Sequence, residues 1–333
     1  MTQFERNRTM LRPQWRIFAM VLFVWGVSVS SARAEASPPM FPGSDWLLWE
    51  TEQITDELYA FRYQFYRSIF LVTDEGVIAS DPLNVEAGKI LAQEIARVTD
   101  QPVKYVAYSH SHWDHIAGGQ PFKDQGAKFV AQENCARNLR ENPNPDVVPA
   151  DITFDAFYEI KLGGASLELF YFGPSHDNCL VVMIANPANI LFMIDLLNPP
   201  SGWIMFYNPT LADTYIYNVV PFLKQVEALV AERNIERIIG AHTQMDMVMG
   251  ETGLQPVMVS GTIGSANAIK ERRLLYQGAI DAVLAQLAAG TAPGDVPDIL
   301  VERRLMADKI IGYDPEQMRI LFKRLTIYGV TGE

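Results

Sequence analysis

His110-Ser111-His112-Trp113-Asp114-His115 packs three imidazoles and a carboxylate into six residues. The hexad follows Val103 to Tyr108, an apolar run of strand length. Loops at strand ends are where functional side chains gather, because a rigid scaffold holds them there. Imidazole nitrogens and carboxylate oxygens are good zinc ligands, at about 2.0–2.2 Å. In an extended segment residues i and i+2 point the same way. His110 and His112 therefore reach one metal, and Asp114 and His115 serve another side of the site. A short helix is expected from about Ile116, and Gly118-Gly119 permits close backbone approach there.

The chain holds five histidines, and three of them lie in the hexad. The other two are His176, in Gly173-Pro174-Ser175-His176-Asp177, and His242, in Gly240-Ala241-His242-Thr243. Each follows an apolar run of strand type, as does Asp195 in Leu191-Phe192-Met193-Ile194-Asp195. A lone histidine after a strand is often a hydrogen-bonded structural residue, and a lone aspartate there a turn or cap residue. The hexad changes that reading, because a metal held by the hexad alone has incomplete coordination.

Outward from these motifs, the pattern alternates. Leu58 to Phe61, Ser68 to Val72 and Val77 to Asp81 read as strands, with a hairpin turn at Asp74-Glu75-Gly76. Val85 to Val98 carries Ile90, Leu91, Ile95 and Val98 at helical spacing. After the hexad come a short helix at Gln120 to Gln125, a strand at Lys128 to Ala131 and a helix at Glu133 to Arg140. Strands follow at Tyr158 to Leu162, Ser166 to Phe172, Leu180 to Ile184 and Ile190 to Ile194. A helix at Tyr217 to Arg233 and a strand at Arg237 to Gly240 complete the series. Beyond Val257 the pattern is mostly helical, most clearly at Ala266 to Ala289. This order suggests two mixed sheets with helices outside, an α/β sandwich of layers.

Residues 1–34 read as a signal peptide. Arg6, Arg8, Arg12 and Arg16 lead, Ile17 to Val29 form a 13-residue apolar run, and Ala32-Arg33-Ala34 make a small-residue cleavage site. The run is short of the roughly 18 residues a spanning helix needs. The expected location is periplasmic or secreted, with no stable membrane span after cleavage. The net charge is −12, and removing this basic lead leaves −16. So acidic a surface repels phosphate backbones and argues against nucleic acid as a partner. Cys135 and Cys179 are the only cysteines. An oxidising compartment permits a disulfide, but the sequence alone favours two free or buried thiols.

The order H-x-H-x-D-H, then His, Asp and His, each after a strand, resembles the metallo-β-lactamase superfamily from about Ile54 to Met245. The ligand pattern is most similar to its dinuclear glyoxalase II and lactonase-like branches. The resemblance implies a four-layer αββα sandwich with a mostly helical C-terminal extension. The parts would be a signal peptide at 1–34, a catalytic domain at 35–256 and the extension at 257–333, which could cap the site or support a homo-oligomer. It also implies two zinc ions, with iron or manganese as alternatives. One ion would take His110, His112 and His176, and the other Asp114, His115 and His242, with Asp195 bridging. Asp81 matches the family's early strand-end Asp and would hold the metal loop by hydrogen bonds. The last motif departs from the commoner Gly-His-Gly. True β-lactamases of the family carry Cys or Ser where Asp195 stands.

The function so implied is a hydrolase that uses a metal-bridging hydroxide to open an ester, lactone or thioester carbonyl of a small molecule, with Asp114 relaying the proton. The runner-up is a periplasmic β-lactamase. An iron-dependent sulfur dioxygenase-like oxidoreductase and a non-catalytic metal-binding protein are further alternatives. Trp113, Trp203, Phe206, Tyr207, Tyr215 and Tyr217 are either pocket walls or ordinary packing.

Overall fold

The computed structural model describes residues 36–41, 45–204, 215–243, 245–250, 253–258 and 261–332. The expected signal peptide, and Phe206 and Tyr207 of the aromatic stretch, lie outside the described residues. Among the described residues no helix is long and apolar enough to cross a membrane.

The first sheet has seven strands in sequence order: β1 (Trp49–Gln53), β2 (Leu58–Tyr63), β3 (Tyr66–Thr73), β4 (Gly76–Ser80), β5 (Val103–Ala107), β6 (Lys128–Gln132) and β7 (Ile152–Phe154). The first four pair antiparallel, and β4 to β7 pair parallel. Parallel neighbours need crossovers. Here these are α1 (Val85–Val98), then α2 (Trp113–Ile116) with α3 (Gln120–Asp124), then α4 (Glu133–Glu141).

The second sheet is built from β8 (Phe157–Leu162), β9 (Ala165–Tyr171), β10 (Val181–Asn186), β11 (Ile190–Met193), β12 (Arg237–Gly240) and β15 (Ile263–Ser265), in the order β15-β12-β11-β10-β9-β8. Its parallel pair β11–β12 is joined through α5 (Ile216–Arg233). A separate hairpin pairs β13 (Met245–Gly250) with β14 (Gly253–Met258). Three helices end the chain: α6 (Asn267–Ala288), α7 (Val296–Glu302) and α8 (Pro315–Thr331).

Side-chain alternation along the strands builds the layers. Leu58 and Ala60 of β2, Ile69 and Leu71 of β3, and Ile78 of β4 join the core shared with Leu167 and Leu169 of β9. The alternate residues Phe61, Phe70, Val77 and Ala79 face a second core with Ala87, Leu91 and Ile95 of α1. Beyond the second sheet, Leu223 of α5, Leu275 of α6, Leu300 of α7 and Phe322 of α8 close the shared core. The result is a four-layer αββα sandwich. Residues 257–333, read from sequence as mostly helical, also supply edge strand β15, which pairs antiparallel with β12.

Cys135 and Cys179 form a disulfide with Cα atoms 5.3 Å apart. The expectation of two free or buried thiols is therefore corrected: both residues are buried, but as a disulfide. The residues are 44 apart in sequence, and only the packing of α4 against the His176 loop brings them together.

Candidate metal centre

The candidate ligands sit beyond the C-terminal ends of strands, where open α/β sheets place their ligand sites. Asp81 follows β4, the hexad follows β5, Asp195 follows β11 and His242 follows β12, while His176 lies in the loop between β9 and β10. Gly118 closes the metal loop at φ +85°, and a Cβ there would lie 2.1 Å from the Asn84 carbonyl oxygen. Only glycine allows this loop to rest on the start of α1, where the Asn84 side chain accepts from Glu86 and Ala87 N–H.

Two groups of ligand atoms result. His110, His112, His176 and Asp195 form one, and His115, Asp195 and His242 the other, with the atoms of each group within 4.8 Å of one another. Asp195 belongs to both. Its Oδ2 lies 3.1 Å from His110 Nε2 and 3.0 Å from His176 Nε2. Its Oδ1 lies 3.2 Å from His115 Nε2 and 2.5 Å from His242 Nε2. Asp195 holds this place with φ 60°, a left-handed conformation that Asp tolerates better than most residues and that is common at functional sites.

The donor chemistry fits divalent metal. His115 Nε2 and His242 Nε2 face each other at 3.1 Å, and His176 Nε2 faces His112 Nδ1 at 3.2 Å. Imidazole nitrogens crowd together in this way around a shared cation. His110 Nε2 and Asp195 Oδ1 are buried and make no hydrogen bond of ordinary geometry although ionisable groups face them, so a cation in each of the two groups would satisfy them. Asp114 stands outside both groups. Its half-exposed carboxylate lies 3.8 Å from His115 Nε2, and burial together with its charge raises the pKa of the neighbouring Tyr66 hydroxyl.

The electrostatics follow from burial. Burial pushes His110 down to about 4, against the pull of Asp195. Burial also disfavours the His115 imidazolium, but Asp195, Asp81 and Asp114 together raise its pKa to about 9. Asp195 is buried, which opposes ionisation, yet His115, His242 and His110 hold it well below the usual carboxylate range.

A surrounding shell fixes the ligands. Asp81 accepts from Ser109 N–H at 2.8 Å, while Ser109 Oγ lies 2.9 Å from His110 Nδ1. Burial raises Asp81 to about 6. Asp177 accepts from Ser111 N–H and Oγ–H at 3.1 and 2.8 Å and from Cys179 N–H at 2.7 Å. This carboxylate ties the His176 loop to the hexad. Asn198 Oδ1 accepts from His242 N–H at 3.0 Å, and Arg67 donates to Gly240 O at 2.6 Å.

Sequence reasoning missed Asp177, Asn198 and Tyr66. Tyr66 bridges to His242 on the backbone and sets its ring 4.9 Å from His242 and 5.6 Å from His115. The aromatic run of the β2–β3 hairpin is a visible signal, but it carries no sequence link to the hexad. Of the expected aromatics, Trp113 is 43% exposed beside the metal groups. Trp203 instead packs against the shared core and under Lys309.

Comparison with known proteins fits this geometry. The family model of the metallo-beta-lactamase superfamily matches residues 63–242, more than half the chain, and the chain belongs to that superfamily. A 2,4-dinitroanisole O-demethylase subunit alpha from Nocardioides sp. (strain JS1661) is 26% identical over 187 residues, 54% of this chain and 52% of that one. A metallo-beta-lactamase type 2 from Elizabethkingia meningoseptica is 28% identical over 141 residues, 40% of this chain and 55% of that one. The chain thus spans about half the length of these curated relatives. A metallo-beta-lactamase from Pontibacter korlensis superposes with a TM-score of 0.55 at 20% identity, over 69% of this chain and 99% of that one. The DIM-1 metallo-beta-lactamase gives 0.51 at 16%, over 69% and 97%. At such identities the structural likeness is one of fold.

Proposed function

We propose that the chain is an exported dinuclear metallo-hydrolase that opens the carbonyl of a small ester, lactone or thioester. One observation carries this reading: the two oxygens of Asp195 face two different histidine groups, as a carboxylate shared between two metals does. Two divalent ions there, zinc by donor type and iron or manganese by the same ligands, would supply Lewis acidity and an ionisable water. His110, His112 and His176 would hold the first and His115 and His242 the second, with Asp195 available to both. Asp114, at the open side beside His115, carries the proton from water to the leaving group. Tyr66 stands beside that carboxylate, with its ring against His115 and His242.

A second reading, hydrolysis of β-lactam amides, is favoured by the β-lactamase relative and disfavoured by Asp195 in place of Cys or Ser. Export is supported by the basic and apolar lead of residues 1–34 and by the disulfide, since disulfides persist in oxidising compartments. Self-association through the helical tail is supported by Ile320, Ile327 and Val330, which α8 leaves exposed.

The test loads the secreted chain with zinc, counts metal by mass spectrometry, and assays phenyl acetate, a γ-lactone, an acyl thioester and a chromogenic cephalosporin. The expected result is two metal equivalents and kcat/KM of about 10⁴ M⁻¹s⁻¹ or more on one of the first three. That activity should vanish in His112→Ala. Turnover of the cephalosporin alone would promote the second reading. Two bound metals with no turnover of any of the four would refute both.

A further inference from the structure

Beside His112 and Asp114 a cleft of about 420 Å³ opens between the metal loop and the C-terminal half of α4. Trp113, Leu139, Asn138 and Asn142 form its walls. The polar atoms of Asn138 are already engaged, since its Nδ2 donates to Ser111 Oγ at 3.2 Å and Asn178 Oδ1 at 2.6 Å, and its Oδ1 accepts from Asn178. The free surface is therefore the indole of Trp113, the aliphatic chain of Leu139 and the neutral amide of Asn142. A large aromatic left exposed beside a metal centre marks a binding surface.

The charge of the surroundings is one-sided. No Lys or Arg occurs in Tyr105 to Phe122, in Leu162 to Leu223 or in Ile238 to Ile269, the stretches that contain every candidate ligand. The nearby cations are turned elsewhere. Arg67 is 2% exposed and spent on Gly240 O. Arg62 donates to Leu47 O and Gln64 O and pairs with Glu50. Arg137 and Arg140 line a different groove along α4 with Glu133. The one charged side chain in the cleft wall is Asp114.

We propose that this cleft is a substrate subsite for an uncharged aromatic or apolar group, and that it selects neutral carbonyl compounds over carboxylate-bearing ones. A carboxylate placed against the walls of the cleft, away from the metal groups, would meet no Lys or Arg side chain, would lose hydration against Trp113 and Leu139, and would stand close to the Asp114 carboxylate. The subsite deepens the hydrolase reading and rests on it for the position of the reacting carbonyl.

Binding is the test, because it needs no turnover. Isothermal titration of the zinc-loaded chain uses two non-hydrolysable ketones of similar shape, 4-methoxyacetophenone and 4-acetylbenzoate. The neutral ketone should bind at least about tenfold more tightly, a ratio worth 1.4 kcal/mol. Asn142→Lys should shrink that ratio by gaining affinity for the carboxylate. Leu139→Trp, which fills the cleft, should weaken the neutral ketone about tenfold. Equal or tighter binding of 4-acetylbenzoate overturns the proposal, as does an unchanged ratio in Asn142→Lys. Selective binding without hydrolysis of any ester would leave the subsite standing and remove the hydrolase reading. Hydrolysis without selectivity would do the reverse.

Discussion

The disulfide between Cys135 and Cys179 is worth about 4 kcal/mol to this fold. It closes a loop of 44 residues, and such a cross-link removes about 13 cal/mol/K of entropy from the unfolded chain, or about 4 kcal/mol near room temperature. For a chain of 333 residues, at about 2.1 cal/mol/K of unfolding entropy per residue, that loss corresponds to a drop in Tm of roughly 6 °C. The link also has a functional side. Cys179 N–H donates to Asp177, which in turn holds Ser111 of the hexad. Opening the bond removes the covalent tie between α4 and the loop that carries His176, and leaves the hydrogen bonds of Asn134 and Asn138 to Asn178 to hold them together. Metal held by His110, His112 and His176 should then weaken about 10–100-fold, as it does when the groups that orient ligands are lost. The assay is urea unfolding of the zinc-free protein in three forms: oxidised, reduced, and Cys135→Ala/Cys179→Ala. Both cysteines are fully buried, so the alanine variant also loses packing, and the reduced wild type isolates the cross-link. An equal slope with a stability loss under about 1 kcal/mol on reduction would refute the reasoning.

Four other outcomes follow from the same geometry. Asp195→Asn keeps the volume but removes the shared charge, so metal content should fall from two equivalents to one or fewer; a variant that retains two would show that Asp195 does not bridge. Asp177→Ala strands the buried donors of Ser111 and Cys179 and should cost about 2–4 kcal/mol in urea unfolding, a figure that a change under about 0.5 kcal/mol would contradict. Gly118→Ala places a Cβ 2.1 Å from Asn84 O at φ +85° and should cost at least about 2 kcal/mol while lowering metal affinity; wild-type stability would mean the loop rebuilds freely. In the metal-free protein His115 is raised from 6.5 to about 9, so its contribution is whole below pH 6.5 and lost as pH rises through 9. His110 and Asp81 change charge below that window. Stability measured in chelator should therefore fall between pH 6.5 and 9, and zinc should flatten the decline; a flat profile without metal would speak against a charged His115.

Much of the fold was legible because its signals are local. Strand β5 ends where the apolar run meets His110, and α1 begins at Asn84, whose side chain caps the helix. The candidate ligands His176, Asp195 and His242 were marked by strand ends and by the small number of histidines. Short edge elements escaped notice. β7 and β15 have three residues each, too few for a periodicity to register, and they exist because β6 and β12 offer free edges. Other features depend on residues far apart in sequence. Tyr66 reaches Asp114 only because the β2–β3 hairpin folds over the loop after β12, where Thr243 N–H donates to Phe65 O.

The sequence by itself determined the order of strands and helices, the strand ends that carry the candidate ligands and a donor set suited to divalent metal, since hydrophobic period and donor type are properties of short segments. Only the tertiary structure decided that Asp195 faces both histidine groups, that Asp114 stands outside them, that Cys135 meets Cys179, and that a cation-free cleft adjoins the site. Each of these is a distance between segments tens of residues apart, fixed by how two sheets and their helices pack rather than by any local preference.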